Sequence, residues 1–223
     1  EPIFERDFAQ HSYGFRPRSG CKDALRQVWK LYTSGYKYVL DADLKSYFDT
    51  IDHDILMGMI AERISDSRIL KLIRHYLNQE VLETAKRWKP DRGTPQGAVI
   101  SPLLANIYLN PLDHRMADSG FQMVRYADDF VIMCKNQWEA EIAFQMVKDW
   151  CEEMKLTLHP TKTKIVDSNE EEFEFLGYLF KKGKRYASKK SMVRFRDSIR
   201  LLTKRSNGHS METIIKLINP KLR

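Results

Sequence analysis

Two adjacent acidic residues interrupt an apolar, β-branched stretch near the middle of the chain. The stretch reads MVRYADDFVIM over residues 123–133 and predicts two strands, 121–126 and 130–135, joined by a tight turn that carries Asp128 and Asp129. Carboxylates this close repel each other when both are ionised and partly buried. The turn is therefore either a solvated hairpin tip or a place where a cation binds.

The elements on either side of this hairpin determine the topology. Aromatic and β-branched residues predict a strand over 36–44 that ends near Asp43, and Ser101, followed by proline, is expected to cap a helix. Helical spacing of apolar residues predicts a helix over 138–155, and a short strand is expected at 162–166. Strand, helix, hairpin, helix, strand is the split βαβ order, which predicts an α+β fold with a ferredoxin-like antiparallel sheet. In that sheet the first strand lies beside the hairpin, so its final acid comes close to the acid pair.

The remaining segments are predicted from local signals. Apolar spacing predicts helices at 21–33 with Ser19 as the cap, and at 53–64, 67–78, 191–205 and 210–218. An irregular segment at 81–100 and a single hairpin at 173–188 complete the prediction.

The charge distribution indicates a polyanionic partner. The formal net charge is +7, and between Lys181 and Arg205 eleven Lys or Arg residues stand against one acid, Asp197. A solvated basic helix is the plain interpretation of such a stretch, and a strip that follows phosphates is the functional one. We expect no membrane partner, because the chain has no run of about eighteen apolar residues.

The cysteines and the start of the chain bear on its setting. Cys21, Cys134 and Cys151 are odd in number and lack CxxC spacing, so neither a disulfide framework nor a zinc site is predicted. This cysteine usage favours a reducing, intracellular location. The start, EPIFERDFAQ, lacks the features of a signal peptide and is expected to lie inside a longer protein.

Three acids at one edge of a sheet form a donor set for Mg²⁺, which takes a few carboxylates and leaves other positions to water and phosphate oxygens. Two such ions about 4 Å apart can activate an attacking hydroxyl and stabilise a leaving pyrophosphate. Because successive strand side chains point to opposite faces, we expect Asp128 to face the site with Asp43 and Asp129 to assist.

Several segments resemble reverse transcriptases and occur in that family's order. YADD at 126–129 is similar to the catalytic motif, and three more segments resemble the first aspartate motif, the PQG motif and the lysine motif: DADLKSYFDTIDHDIL (41–56), RGTPQGAVISPLLANIYLNPLD (92–113) and LTLHPTKTKIV (156–166). FEFLGYLF at 173–180 resembles the primer-grip hairpin, and SYGFRPRSGCKDAL at 12–25 is similar to the segment that enters the palm of group II intron reverse transcriptases. CRISPR-associated reverse transcriptases share much of this text, so the choice between the two subtypes stays open.

The resemblance implies a role for each matching residue. Asp43 and Asp128 would bridge two Mg²⁺ ions, for which Mn²⁺ is an alternative, with the carbonyl of Leu44 as a further ligand and Asp129 as the third catalytic acid. The implied nucleotide-binding residues are Phe48, Gln96, Gly97 and Lys162. Phe48 would exclude a 2′-hydroxyl, with an ordinary core residue as the alternative, and Lys162 would be a general acid, with a plain exposed lysine as the alternative. The implied primer grip is Phe175, Leu176, Gly177 and Tyr178, among which Phe175 and Leu176 have a place in the core as the alternative. Candidate nucleic-acid contacts are Arg16, Arg18, Lys181, Lys182, Lys184 and Arg185, among which Arg16 and Arg18 both have a structural role as the alternative.

The same resemblance implies a domain layout and a set of partners. Residues 1–35 would be part of the fingers, 36–190 the palm and 191–223 the start of the thumb. The implied partners are an RNA template, a DNA primer, a dNTP and structured intron RNA, in the bacterial cytosol or nucleoid. A maturase that binds intron RNA without chemistry is the alternative function, and a homodimer is left open. Because the upstream fingers segment is expected to precede residue 1, the isolated fragment could lack polymerase activity.

Overall fold

The computed structural model describes residues 2–78, 81–83, 86–88, 92–94, 98–206 and 208–222, with the backbone alone at 81–83 and 86–88. The strands are β1 (Tyr38–Ala42), β2 (Val81–Glu83), β3 (Lys86–Trp88), β4 (Gln122–Tyr126), β5 (Asp129–Cys134), β6 (Lys164–Asp167), β7 (Phe173–Phe175), β8 (Tyr178–Lys181) and β9 (Lys184–Ala187). The helices are α1 (Pro2–Glu5), α2 (Cys21–Thr33), α3 (Tyr47–Thr50), α4 (His53–Ala61), α5 (Ser67–Leu77), α6 (Ser101–Asp118), α7 (Gln137–Glu153), α8 (Lys189–Leu202) and α9 (Met211–Leu222).

The central sheet has the strand order β4-β5-β1-β6, and every neighbouring pair is antiparallel. Ala42 of β1 pairs with Phe130 of β5, and Tyr126 of β4 pairs with Asp129 across the turn of the hairpin. The first strand therefore lies between the hairpin and the last strand, as the split βαβ order predicts. This register brings the end of β1 beside the turn that carries the acid pair.

Strand alternation gives the sheet two buried faces. Leu40, Phe130 and Ile132 point into a core with α4, α6 and α7, whereas Val39 and Val131 point into a second core with α2 and the sheet β7-β8-β9. All five side chains are fully buried. Burial of an aliphatic or aromatic side chain of this size is worth about 1.5–3 kcal/mol, so the strands are held from both sides.

Two helix starts differ from the prediction. The N-cap of α2 is Gly20 rather than Ser19, and no side chain at the cap position accepts from the first turn; the Asp23 carboxylate instead accepts from the Gly20 amide and holds the chain at the helix start. In α6 the cap is Ile100, whose backbone is already helical, so Ser101 is the first helical residue and the proline falls at the second. The proline is tolerated there because the first turn of a helix has no intrahelical acceptor for its amides.

Two predicted segments also need correction. The segment expected to be irregular contains the short antiparallel pair β2 and β3. The single hairpin expected at 173–188 is a three-stranded sheet, β7-β8-β9. Leu176 and Gly177 have φ angles of 48° and 78°, which turn the chain between β7 and β8 and divide one predicted strand into two.

The C-terminal helices lie outside both cores. Ser188 caps α8 by accepting from the Ser191 amide, but among the described residues of α8 and α9 none is buried. None of the helices in the described part of the chain is long and apolar enough to cross a lipid bilayer.

Candidate active site

The acid pair stands at a two-residue hairpin turn. Because Tyr126 pairs with Asp129, Ala127 and Asp128 form the turn itself, and Asp129 is the first residue of β5. Ala127 has a φ of 60°, in the left-handed region that such tight turns require and that costs a residue with a Cβ about 1–2 kcal/mol. The backbone thus stores strain directly before Asp128.

Both acids of the pair are poorly compensated electrostatically. Burial, followed by the charges of Asp41, Asp128 and Asp43, raises the pKa of Asp129 to about 7. Burial and the Asp43 charge also raise the pKa of Asp128, and Arg125 and Lys162 oppose that rise only in part. A cation at this place would favour the ionised form of both carboxylates.

Asp43 is held by the chain that precedes β6. Its carbonyl accepts from the His159 amide at 2.7 Å, and its carboxylate pairs with the Lys162 ammonium at 2.9 Å. That contact raises the pKa of Lys162.

The bridge between Leu44 and Leu158 uses the Asp43 carbonyl and the Lys45 amide. Neither of these hydrogen bonds uses the Leu44 carbonyl, which was predicted as a metal ligand.

The division of roles between Asp128 and Asp129 is less simple than strand alternation suggests. One further step of the β1–β5 register sets Asp43 against Asp129, and the Asp43 charge raises the pKa of both neighbours. Asp129 also accepts from the backbone amide of Leu176. Alternation fails for Asp128 because a turn residue is not bound by the pleat of a strand.

A further acid, Asp41, belongs to this group and was not predicted from the sequence. Asp41 lies two residues before Asp43, so strand alternation places both on the same face. Burial raises the pKa of Asp41 to about 6, with the Lys164 charge opposing the rise and the like charges of Asp43 and Glu174 adding to it. Strand alternation could have indicated it.

The donor chemistry of the site fits Mg²⁺. Within the described residues no three His, Cys, Asp or Glu side chains are grouped closely enough to hold a metal by themselves. Mg²⁺ commonly binds through one or two carboxylates and takes its other ligands from water and substrate phosphates. Asp43 and Asp128 can supply those carboxylates, and burial of Asp128 beside the Asp43 charge favours a divalent cation there.

The backbone of Phe48, a predicted nucleotide contact, is held by a close approach of the chain at Gly93 and Thr94. Phe48 lies in α3, partly buried, with its ring 5.4 Å from the Tyr47 ring, and its carbonyl accepts from the Thr94 amide at 2.7 Å. Gly93, with a φ of 86°, approaches so closely that a Cβ there would meet the Phe48 carbonyl oxygen at 2.7 Å. Gln96 and Gly97, the predicted contacts that follow this glycine, lie outside the described residues.

Comparison with protein families identifies the kind of protein in which this geometry occurs. The family model described as reverse transcriptase (RNA-dependent DNA polymerase) matches residues 1–180. The chain belongs to the reverse transcriptase family. The resemblance seen in the sequence is confirmed at that level.

The curated relatives of this reverse transcriptase chain include intron-encoded proteins. Protein YkfC of Escherichia coli (strain K12) is 34% identical, and the match covers 83% of this chain and 59% of that protein. Group II intron-encoded protein LtrA of Lactococcus lactis subsp. cremoris is 42% identical over 51% of this chain and 19% of its own length. The chain therefore spans less than two thirds of either relative.

Solved structures of other proteins share the fold. Apo telomerase from Candida tropicalis matches with a TM-score of 0.66 at 12% identity, over 99% of this chain and 47% of that one. At this identity the likeness shows the fold alone. It confirms the mixed α+β class with a polymerase-type palm that the sequence predicted.

The predicted primer-grip residues of this reverse transcriptase divide between core and surface. Phe175 is buried in the second core, whereas Tyr178 is 40% exposed on β8. Leu176 and Gly177 form the turn between β7 and β8, next to Asp129, which the Leu176 amide contacts. Of these four residues, Leu176 is therefore the one whose backbone contacts the acid group.

The predicted nucleic-acid contacts also differ in their surroundings. Arg16 pairs with Glu5 at 2.8 Å and donates to the Ala9 and Ser12 carbonyls, which is the structural arrangement that stood as the alternative. Arg185 lies over the Trp29 ring, 4.8 Å from its centroid. The remaining candidates extend along the surface: Arg18, Lys182 and Lys184 are exposed, and Lys181 is partly exposed.

Proposed function

We propose that this chain carries the palm of an RNA-directed DNA polymerase of the group II intron-encoded type. The observation that carries the proposal is the acid group at the end of β1 and the β4–β5 turn, in a chain of the reverse transcriptase family. The reaction joins a primer 3′-oxygen to the α-phosphorus of a dNTP and breaks the bond to the pyrophosphate oxygen. The name of the relative LtrA supports the intron-encoded type.

The metal role falls to the residues nearest the turn. Asp43 and Asp128, with the Leu44 carbonyl, would hold Mg²⁺ or Mn²⁺, and the bound ions would supply activation of the hydroxyl and stabilisation of charge on the phosphates. Asp129 adds negative charge beside them and is held in place by the Leu176 amide.

Other side chains act on the nucleotide. Lys162, which now pairs with Asp43, lies within reach of the acid group and would give its proton to the departing pyrophosphate. Phe48 leaves no room for a 2′-hydroxyl, and Gln96 and Gly97 would contact the nucleotide and the templating base. These assignments follow the motif positions in the chain.

The partners follow from the same reading. We assign residues 1–35 to the fingers, 36–190 to the palm and 191–223 to the start of the thumb, with α2 packed on the palm sheet. The hybrid of RNA template and DNA primer would pass the turn of β7 and β8 and the basic face of α8. A groove that binds such a hybrid reads its shape and backbone rather than its bases. Structured intron RNA, the bacterial cytosol or nucleoid and a homodimer remain parts of the proposal.

Primer extension on an RNA template tests the proposal. The natural protein that carries this chain is incubated with a labelled DNA primer, dNTPs and Mg²⁺, as wild type and as Asp128→Asn. The variant should lose about 1,000-fold in rate, because metal-assisted charge stabilisation is worth several kcal/mol. Asp118→Asn, an exposed acid at the end of α6, is the matched control and should extend like the wild type.

The alternative function gives a different result in the same assay. A maturase without chemistry would bind structured RNA in both forms and extend no primer in either. Equal extension by wild type and Asp128→Asn would refute the assigned metal role. Phe48→Ala adds a second readout, since it should incorporate rNTPs more readily without losing dNTP incorporation.

A further inference from the structure

A buried guanidinium stands two residues before the catalytic turn. Arg125 of β4 is fully buried, and its Nε donates to Oδ1 of Asp113 in α6 at 2.8 Å while Nη2 donates to Oδ2. Burial opposes the charge, but the Asp113 carboxylate holds the pKa of Arg125 above its usual value. The charge of Arg125 is thus fixed in place by a two-pronged contact that a lysine could not reproduce.

The third arm of the same guanidinium reaches the turn. Nη1 of Arg125 donates to the Ala127 carbonyl at 2.8 Å and to Oδ1 of Asn106 at 2.9 Å. Ala127 is the residue whose left-handed backbone precedes Asp128. A hydrogen bond to that carbonyl therefore acts on the peptide plane from which Asp128 projects.

The N-terminal loop holds the turn from its other side. The Arg125 amide donates to the His11 carbonyl at 3.0 Å, and the Arg125 carbonyl accepts from the Tyr13 amide at 2.9 Å. Asn106 donates to the Gly14 carbonyl at 2.8 Å. Gly14 packs so tightly that a Cβ there would collide with the Ala127 amide nitrogen.

We propose that Arg125 is a positioning residue of the polymerase site: anchored by Asp113 and Asn106, its guanidinium fixes the Ala127 carbonyl and thereby the place of Asp128 relative to Asp43. The chemical consequence rests on the proposed function. The positioning itself is a property of the fold. A plain core ion pair would need only the two contacts to Asp113, whereas here the remaining donor is used on the strained residue of the turn.

The test removes both charges together. Arg125→Met with Asp113→Leu avoids leaving one buried charge unpaired, and such apolar replacement of a buried pair is commonly neutral for stability. The double variant should stay folded but melt below the wild type, because Asn106 Oδ1 and the Ala127 carbonyl lose the donor that Arg125 supplies. It should lose up to about 100-fold in kcat with little change in the KM for dNTP, the size expected for a misplaced catalytic group.

A metal readout separates positioning from general damage. Mn²⁺ binding, followed by electron paramagnetic resonance without substrate, should weaken about tenfold in the double variant, because one carboxylate ligand moves. Val147→Ala, a buried change in α7 far along the chain from the turn, should lower stability without changing kcat or Mn²⁺ affinity. Arg125→Lys keeps the charge but lacks the fork, and should not restore kcat.

A second variant covers the case in which the double variant does not fold. Gly14→Ala leaves Arg125 intact and pushes on the turn from the other side, so it should show the same loss in kcat and Mn²⁺ affinity. The inference is overturned if the folded variants keep kcat and Mn²⁺ affinity within about twofold of the wild type. It is also overturned if Arg125→Lys has the kcat of the wild type.

An inactive wild type would refute the proposed function rather than the positioning role. In that case hydrogen exchange at the Asp128 amide decides. The rate should rise in the double variant relative to Val147→Ala, because the turn is no longer held by Arg125. An unchanged rate would overturn the inference on its own.

Discussion

The palm sheet and the C-terminal helices are built in opposite ways. Strands β1 and β5 are buried on both faces, and the acid group lies where the end of β1 meets the hairpin turn before β5. In α8 and α9 no described residue is buried, although both helices carry large apolar side chains. The exposed ones are Met192, Val193, Phe195, Leu201, Met211, Ile215, Leu217 and Leu222.

This contrast separates the part of the molecule that supplies the free energy of folding and the site geometry from the part that supplies basic surface. The positions of Asp43 and Asp128 are fixed by strand pairing and by packing on both faces, so these acids depend on the palm core. The basic helix α8 adds charge and exposed apolar surface, but contributes little burial. Changes in the palm should therefore affect stability, and changes in the basic region should affect binding.

The largest expected effect is a core truncation in the palm. Phe130→Ala, in the fully buried centre of β5, should lower the free energy of unfolding by about 3–5 kcal/mol, because it removes a large ring from a close-packed core. Phe195→Ala in α8, where the ring is 38% exposed, should cost less than about 1 kcal/mol. Urea unfolding followed by circular dichroism measures both. Equal losses would mean that α8 belongs to the cooperative core.

The next effect lies at the junction between the two regions. Gly177 has a φ of 78°, and a Cβ there would collide with the Ser191 side chain of α8. Gly177→Ala should therefore cost about 2 kcal/mol or more, of which the left-handed backbone supplies about 1–2 kcal/mol. Gly183→Ala is the matched control, since its φ is 73° and a Cβ would meet nothing within 4 Å. If both variants lose the same stability in urea unfolding, the contact with α8 is unimportant.

A smaller effect concerns binding alone. Lys182→Gln with Lys184→Gln should weaken binding to an RNA–DNA hybrid by about tenfold at moderate salt, and should reduce the slope of log K against log salt by about one for each lost phosphate contact. The melting temperature should stay unchanged, because both lysines are exposed. Lys71→Gln with Lys148→Gln removes the same charge elsewhere and should keep the wild-type slope. Fluorescence anisotropy over a salt series gives all these slopes.

Part of the site could be predicted from the sequence because it follows from topology. Alternating apolar residues define β1 and the hairpin, and the order of elements places β1 beside that hairpin, so the closeness of Asp43 to the acid pair needs no side-chain detail. The boundary at Leu176 could not be predicted in the same way. FEFLGYLF reads as one strand, and only the left-handed turn at its centre divides it.

The buried Arg125 network could not be predicted for a different reason. A lone arginine in a strand is usually exposed. Its partner Asp113 lies in α6, and because α6 is buried on most of its sides, its sequence shows no clear apolar stripe. The pairing depends on the packing of α6 against β4, which appears only in three dimensions. Asp41 was missed although alternation from Asp43 could have found it.

The smallest expected effect tests a residue that belongs to both regions. Arg185 was predicted to contact nucleic acid, but its guanidinium lies over the Trp29 ring of α2 at 4.8 Å. Arg185→Ala should therefore lower the free energy of unfolding by about 0.5–1 kcal/mol, the worth of an exposed cation–π contact. A double-mutant cycle with Trp29→Ala isolates that coupling from the contacts of Trp29 with Tyr32 and Phe180. The opposite result is an absent coupling together with a fall in the salt slope of hybrid binding like that of the two lysine substitutions. Arg185 would then belong to the binding surface, and the stable palm would end at Trp29 without including Arg185.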